Sequence, residues 1–163
     1  AKQKRHRASP NIGDKTPYVT KFGMKTSYDT YELDIEKLPS GVGGYKSSLV
    51  IKDEATNFAT FFPSKSKDSQ AAVDAMLQHF GSEIGKAKMF YGDGATAVKK
   101  MAKLLRIPST HSTPNTPTSN SRHEAFMRIV GDGIRVLLYQ AGLNASWWRF
   151  AGMYFCNGWN LYK

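Results

Sequence analysis

The run Ser48-Leu49-Val50-Ile51-Lys52-Asp53-Glu54-Ala55-Thr56-Asn57-Phe58-Ala59-Thr60-Phe61-Phe62 decides the fold class. Its two blocks, Ser48 to Ile51 and Phe58 to Phe62, are apolar, β-branched and aromatic, and the Asp53 to Asn57 link is short enough for a hairpin. Upstream, Thr26 to Ile35 is a further strand candidate, followed by a turn over Leu38 to Gly44 that holds Pro39, Gly41, Gly43 and Gly44. Downstream the period changes: Ala72, Val73, Met76, Leu77 and Phe80 recur at helical spacing behind Ser66 or Asp68 as a cap, and Gly81 and Gly85 close the helix. Lys88 to Tyr91 reads as a short strand. Ala95 to Leu105 reads as a helix with Val98, Met101, Ala102 and Leu105 inward, stopped by Pro108. The stretch 109–120, almost all Ser, Thr, Asn and Pro, reads as a loop. A long helix follows from Ser119 or Asn120 to just before Gly142, and an aromatic-rich helix covers Ala145 to Leu161. Antiparallel strands followed by alternating strands and helices, with one more short strand, predict an α/β protein: a mixed sheet covered by helices.

The chain of 163 residues suits one domain with a sizeable core. We divide it into a basic extended arm, residues 1–21 with Pro10 and Pro17, and a folded core, residues 22–163. The net charge is +10, from 23 basic and 13 acidic side chains. Residues 1–28 carry Lys2, Lys4, Arg5, Arg7, Lys15, Lys21 and Lys25 against Asp14 alone. Such an arm suits a polyanion, DNA or RNA, although a solvated leader has the same composition. No apolar run is long enough to span a membrane, and the N-terminus lacks the apolar region of a secretory signal. Cys156 is the sole cysteine, which excludes an intrachain disulfide and a cysteine-based zinc site and suits a reducing, intracellular setting. His6, His79, His111 and His123 show no metal-ligand spacing.

Three acids sit at the ends or starts of expected elements. Asp29 lies in the first strand, Asp93 follows the Met89-Phe90-Tyr91 strand in Tyr91-Gly92-Asp93-Gly94, and Glu124 opens the long helix. Such positions collect active-site groups in α/β folds. Three converging carboxylates would form an oxygen-rich site for Mg²⁺ or Mn²⁺, and two such ions about 4 Å apart serve phosphodiester chemistry. Ordinary capping or surface roles are the other explanation. Asp34, in Glu32-Leu33-Asp34-Ile35, competes with Asp29 as first acid; five residues apart on one strand, the two face opposite sides.

Six blocks, in order, carry a family pattern: Phe22-Gly23-Met24-Lys25-Thr26-Ser27-Tyr28-Asp29; Asp53-Glu54-Ala55-Thr56; Phe62-Pro63-Ser64-Lys65-Ser66-Lys67; Asp93 after its strand; Thr113-Pro114 through Asn120-Ser121-Arg122-His123-Glu124; and Gly142-Leu143-Asn144-Ala145-Ser146-Trp147-Trp148. In these the chain resembles the catalytic core of copia-type retrotransposon and retroviral-type integrases. The resemblance implies a ribonuclease H-like three-layer fold, with a mixed five-stranded sheet flanked by helices. It implies a Mg²⁺- or Mn²⁺-dependent polynucleotidyl transferase that processes DNA 3′ ends and joins them to a target, with Asp93 and Glu124 as catalytic ligands beside a first acid, for which the Phe22-Gly23 block favours Asp29 while Leu33-Asp34 resembles the Leu-Asp of retroviral cores. Nucleic acid would be held by Lys2, Lys4, Arg5 and Arg7 of the arm and by Asn120, Arg122, His123 and Arg128 around Glu124. Self-association or a larger assembly, in the nucleus or a nucleoprotein particle, is implied with it. The chain departs from the pattern at Gly94, where the family has Asn; at Ala97-Val98, where it has Glu-Phe; and at Ser121 and Ala125, where it has Gly and Arg. These departures also suit a captured, catalytically lapsed fold serving as a nucleic-acid-binding or structural subunit of a larger assembly, and a ribonuclease or resolvase shares the same fold class.

Along the long helix, Phe126, Ile129, Val130, Ile134, Leu137 and Leu138 are expected inward, with Glu124, Arg128 and Arg135 on the other side and Asp132 between the arginines. Glu124 and Arg128 are spaced for an ion pair, or Arg128 lies beside the scissile phosphate. His123 is expected to be a solvent-facing residue of a first turn, in preference to touching phosphate or acting as a proton shuttle. The cluster Trp147, Trp148, Phe150, Tyr154, Phe155 and Trp159 is expected to pack, with one exposed aromatic used in self-association, in preference to stacking bases.

Overall fold

In the computed structural model, residues 19–32, 40–92, 95–111 and 121–162 are described. Three strands, β1 (Thr26–Tyr31), β2 (Ser47–Asp53) and β3 (Ala59–Ser64), form an antiparallel meander. On the far side of β1, β4 (Phe90–Gly92) and β5 (Ser109–His111) add in parallel, giving the order β3-β2-β1-β4-β5. Parallel neighbours require crossovers, and helices α1 (Ser69–Phe80) and α2 (Thr96–Leu105) lie in them. Helices α3 (Ser121–Gln140) and α4 (Trp148–Leu161) cover the other face.

Strand alternation sorts the side chains into two cores. Tyr28, Ile51 and Phe90 pack against Met76 and Phe80 of α1 and Val98 and Met101 of α2. Val50, Ala59 and Phe61 pack against Phe126, Val130 and Ile134 of α3 and Trp148 of α4. The result is the three-layer α/β architecture of the ribonuclease H-like fold: a mixed five-stranded sheet between two helical layers.

Local chemistry sets the boundaries. The β2–β3 hairpin is organised by Asp53, which is fully buried and accepts from Gly23 N, Thr56 N and Thr56 Oγ1, each at 2.8 Å, while Asn57 takes a left-handed φ of 57°. Of the two expected caps for α1, Asp68 serves, accepting from Ala71 N at 2.8 Å. Helix α2 ends at Arg106, left-handed at φ 56°, two residues before Pro108. The fifth strand forms inside the stretch read as loop. The Pro108 carbonyl accepts from Phe90 N, so the free edge of β4 draws Ser109–His111 into pairing despite their polarity. Ile129, expected inward, is exposed. At about 100° per residue it lies about 120° from the middle of the buried stripe of Phe126, Val130, Ile134 and Leu138.

Candidate active site

On β1, Tyr28 enters the α1–α2 core, so its neighbours Ser27 and Asp29 face α3 with Tyr31. Asp29 is partly exposed, and its Oδ1 accepts from Thr30 N at 2.7 Å. The parallel register pairs Thr26 with Phe90, Ser27 with Tyr91 and Tyr28 with Gly92. Gly92 is required there, because a Cβ would overlap the Tyr28 ring. The next residue, Asp93, lies outside the described residues, as do Asp34, Asn120, Lys2, Lys4, Arg5, Arg7 and the side chain of Arg122.

Helix α3 travels along β1. At its start His123 Nδ1 lies 2.8 Å from Ser27 Oγ; two turns on, a Cβ at Gly131 would lie 3.6 Å from the Tyr31 ring. Eight helical residues advance about 12 Å and four strand residues about 13 Å, so the two elements keep step. The turn from Glu124 to Arg128 therefore passes Asp29. Glu124 is exposed and, seven residues before Gly131, shares the helix flank that meets Tyr31. Asp29 and Glu124 thus belong to one side of the sheet and one end of α3. Among the described residues no three His, Cys, Asp or Glu side chains form a metal-binding group. Of the two readings of Glu124 and Arg128, the ion pair does not form among the described residues; Arg135 pairs with Asp132 at 2.6 Å.

His123, expected to face solvent, is instead buried, 2% exposed. It lies three residues before Phe126 and seven before Val130, in the middle of the inward stripe, and that spacing was the available signal. Ser27 Oγ donates to Glu54 Oε1 at 2.6 Å, which leaves His123 Nδ1–H to donate to Ser27 Oγ. His123 Nε2 is then a buried lone pair with no hydrogen-bond partner among the described residues. Burial pushes the imidazole pKa down to about 4, opposed by the Glu54 charge and reinforced by Lys52. Lys52 itself is buried on the same face, 5.4 Å from the centre of the Phe126 ring.

The aromatic cluster divides. Trp148 is fully buried and Phe155 and Trp159 pack against its core, whereas Trp147, Phe150 and Tyr154 are all exposed rather than one alone. Asn160 was not anticipated: its side-chain amide accepts from Ala59 N at 2.8 Å and donates to Ala59 O at 2.7 Å, tying α4 to the outer strand β3.

No described helix is long and apolar enough to cross a membrane. No protein-family model matches the chain, and no curated protein matches it in sequence. Among solved structures it is similar to a chain in the cryo-EM structure of the simian T-cell lymphotropic virus intasome in complex with PP2A regulatory subunit B56 gamma. The TM-score is 0.63 and the identity 15%, over 85% of this chain and 49% of that one. This chain therefore spans about half the length of that neighbour. What the two share is a fold.

Proposed function

We propose that the chain is the catalytic core of a retroelement integrase, a metal-dependent polynucleotidyl transferase acting through Asp29, Asp93 and Glu124. The observation that carries this reading is the course of α3 along β1, which sets Glu124 on the flank over the strand that bears Asp29. Asp93 is bonded to Gly92, and Gly92 is paired with the residue before Asp29. All three candidates supply carboxylate oxygens, the donors that Mg²⁺ and Mn²⁺ take. When bound, such ions would activate an attacking oxygen and neutralise charge on the phosphate. Arg128, one turn beyond Glu124, is exposed and makes no ion pair among the described residues, so its guanidinium is available to a phosphate oxygen. The basic arm, with Asn120 and Arg122, would hold the nucleic acid, DNA in the first instance, in the nucleus or a nucleoprotein particle. Self-association through exposed aromatic side chains such as Phe150 and Tyr154 would build the assembly. His123, buried on Ser27, would contribute from behind the site.

The test is strand transfer with Mg²⁺ or Mn²⁺ on a blunt-ended duplex, comparing wild type with Glu124→Gln. Joining by wild type alone supports the reading; equal products from both remove Glu124 from it.

One observation favours a second role. The first turn of α2 has no acidic residue, and Ala97-Val98 stand there where the integrases it resembles carry Glu-Phe. Tight, metal-independent binding of DNA or RNA without joining would favour a lapsed integrase fold serving as a nucleic-acid-binding or structural subunit.

A further inference from the structure

From the Glu54–Ser27–His123 chain we infer that His123 is a positioning residue, fixing the start of α3 over β1 and with it the separation of Glu124 from Asp29. The inference rests on the proposed roles of those two acids, but its geometry stands independently. Ser27 lies two residues from Asp29 on the same face of β1, and His123 is bonded to Glu124. A direct side-chain hydrogen bond joins the start of α3 to β1, the 2.8 Å contact between His123 Nδ1 and Ser27 Oγ. The hydroxyl is itself held by Glu54 at 2.6 Å and, at 3.3 Å, by the Lys52 carbonyl, so β1, β2 and the hairpin all fix the point on which the helix rests. Ser27 and His123 are 1% and 2% exposed, and water does not compete for the bond. Beside it lies Phe126, its ring centre 6.4 Å from that of the imidazole and 5.4 Å from Lys52 Nζ. A hydrophobic residue in place of His123 would fill space. It would not set direction, because apolar contacts let a helix slide along its axis whereas a hydrogen bond to one oxygen does not.

The test compares Ser27→Ala, His123→Ala and His123→Asn with wild type. The Asn amide reproduces the Nδ1–H donor at the same distance from the backbone, so it serves as the conservative variant. Two quantities are measured in the full chain: hydrogen exchange at the amides of Phe126, Met127 and Arg128, with α4 as the internal standard, and Mn²⁺ binding followed by electron paramagnetic resonance. The two alanine variants are expected to exchange roughly tenfold or more faster at those amides while α4 is unchanged. They are expected to bind Mn²⁺ roughly 10–100-fold more weakly, as loss of an outer-shell support does. His123→Asn should restore both. Folded alanine variants with wild-type exchange at Phe126 to Arg128 overturn the positioning role, whatever the metal does. The same holds if His123→Asn behaves as His123→Ala. A wild-type chain that binds no Mn²⁺, but shows the expected exchange pattern and its rescue, supports the tie and overturns the metal-dependent function instead.

Discussion

Ser27 Oγ and His123 Nδ1, 96 residues apart in the chain, meet at 2.8 Å between β1 and the first turn of α3. The imidazole is neutral there because burial holds its pKa near 4. His79 is held near 4 for the same reason, packed among Phe22, Phe58 and Phe80 with its Nδ1 2.6 Å from Thr60 Oγ1.

Both histidines therefore make the fold acid-sensitive. In the unfolded chain each takes up a proton near pH 6.5, and in the folded chain only near 4, so between these values the unfolded state binds more protons. The stabilisation is fully present above about pH 6.5 and is lost as pH falls towards 4, by about 3 kcal/mol for each histidine. Urea denaturation midpoints measured from pH 7.5 to 4 should fall through this window. In His79→Asn the slope should be shallower; an unchanged slope removes His79 from the account.

Asp53 is fully buried and accepts three hydrogen bonds, from Gly23 N, Thr56 N and Thr56 Oγ1. Asp53→Ala removes the acceptor of all three bonds, and we expect a loss of about 3 kcal/mol or more. Chemical denaturation with an unchanged m-value checks it. A loss below about 1 kcal/mol, the net worth of a single such bond, would mean that water replaces the carboxylate.

Gly92→Ala should destabilise the chain by about 1–3 kcal/mol, the usual cost of overpacking, because the added methyl overlaps the Tyr28 ring where β4 meets β1. Melting temperature reads the stability. Near-ultraviolet circular dichroism reads the displacement of the tyrosine; a wild-type spectrum and melting point would show that the strands part without cost.

Glu124 is exposed, so Glu124→Gln should leave the melting temperature within about 1 °C of wild type, as surface substitutions do. On the proposed function it should depress metal-dependent joining beyond the roughly 100-fold that loss of an outer-shell support costs. A large fall in stability with joining intact would invert its assignment from site to scaffold.

The fold was legible wherever apolar periodicity was strong. The β2–β3 hairpin follows from the two apolar blocks around Asp53 to Asn57, and α1 from Ala72, Val73, Met76 and Phe80 behind Asp68. The short strand β5 was not legible at its position, because Ser109, Thr110 and His111 carry no apolar pattern and pair only because β4 offers an edge. Of the candidate site, β1 and the first turn of α3 were found with Asp29 and Glu124 on them, while Asp93 lies outside the described residues. The support behind the site was missed. His123 sits on the inward stripe by spacing, but a polar residue in a first turn reads as solvent-facing until Ser27 and Glu54 are seen to receive it.

The sheet also has consequences at its margins. Its outer strands are β3, which contains Pro63 and is tied at Ala59 to Asn160, and β5, which is three residues long. A proline offers no N–H to an incoming strand, and three residues offer too few groups to hold one. Lateral growth into a continuous intermolecular sheet is discouraged at both borders. On the helical surfaces, by contrast, Val136 and Tyr139 of α3 and Phe150 and Tyr154 of α4 stand in solvent.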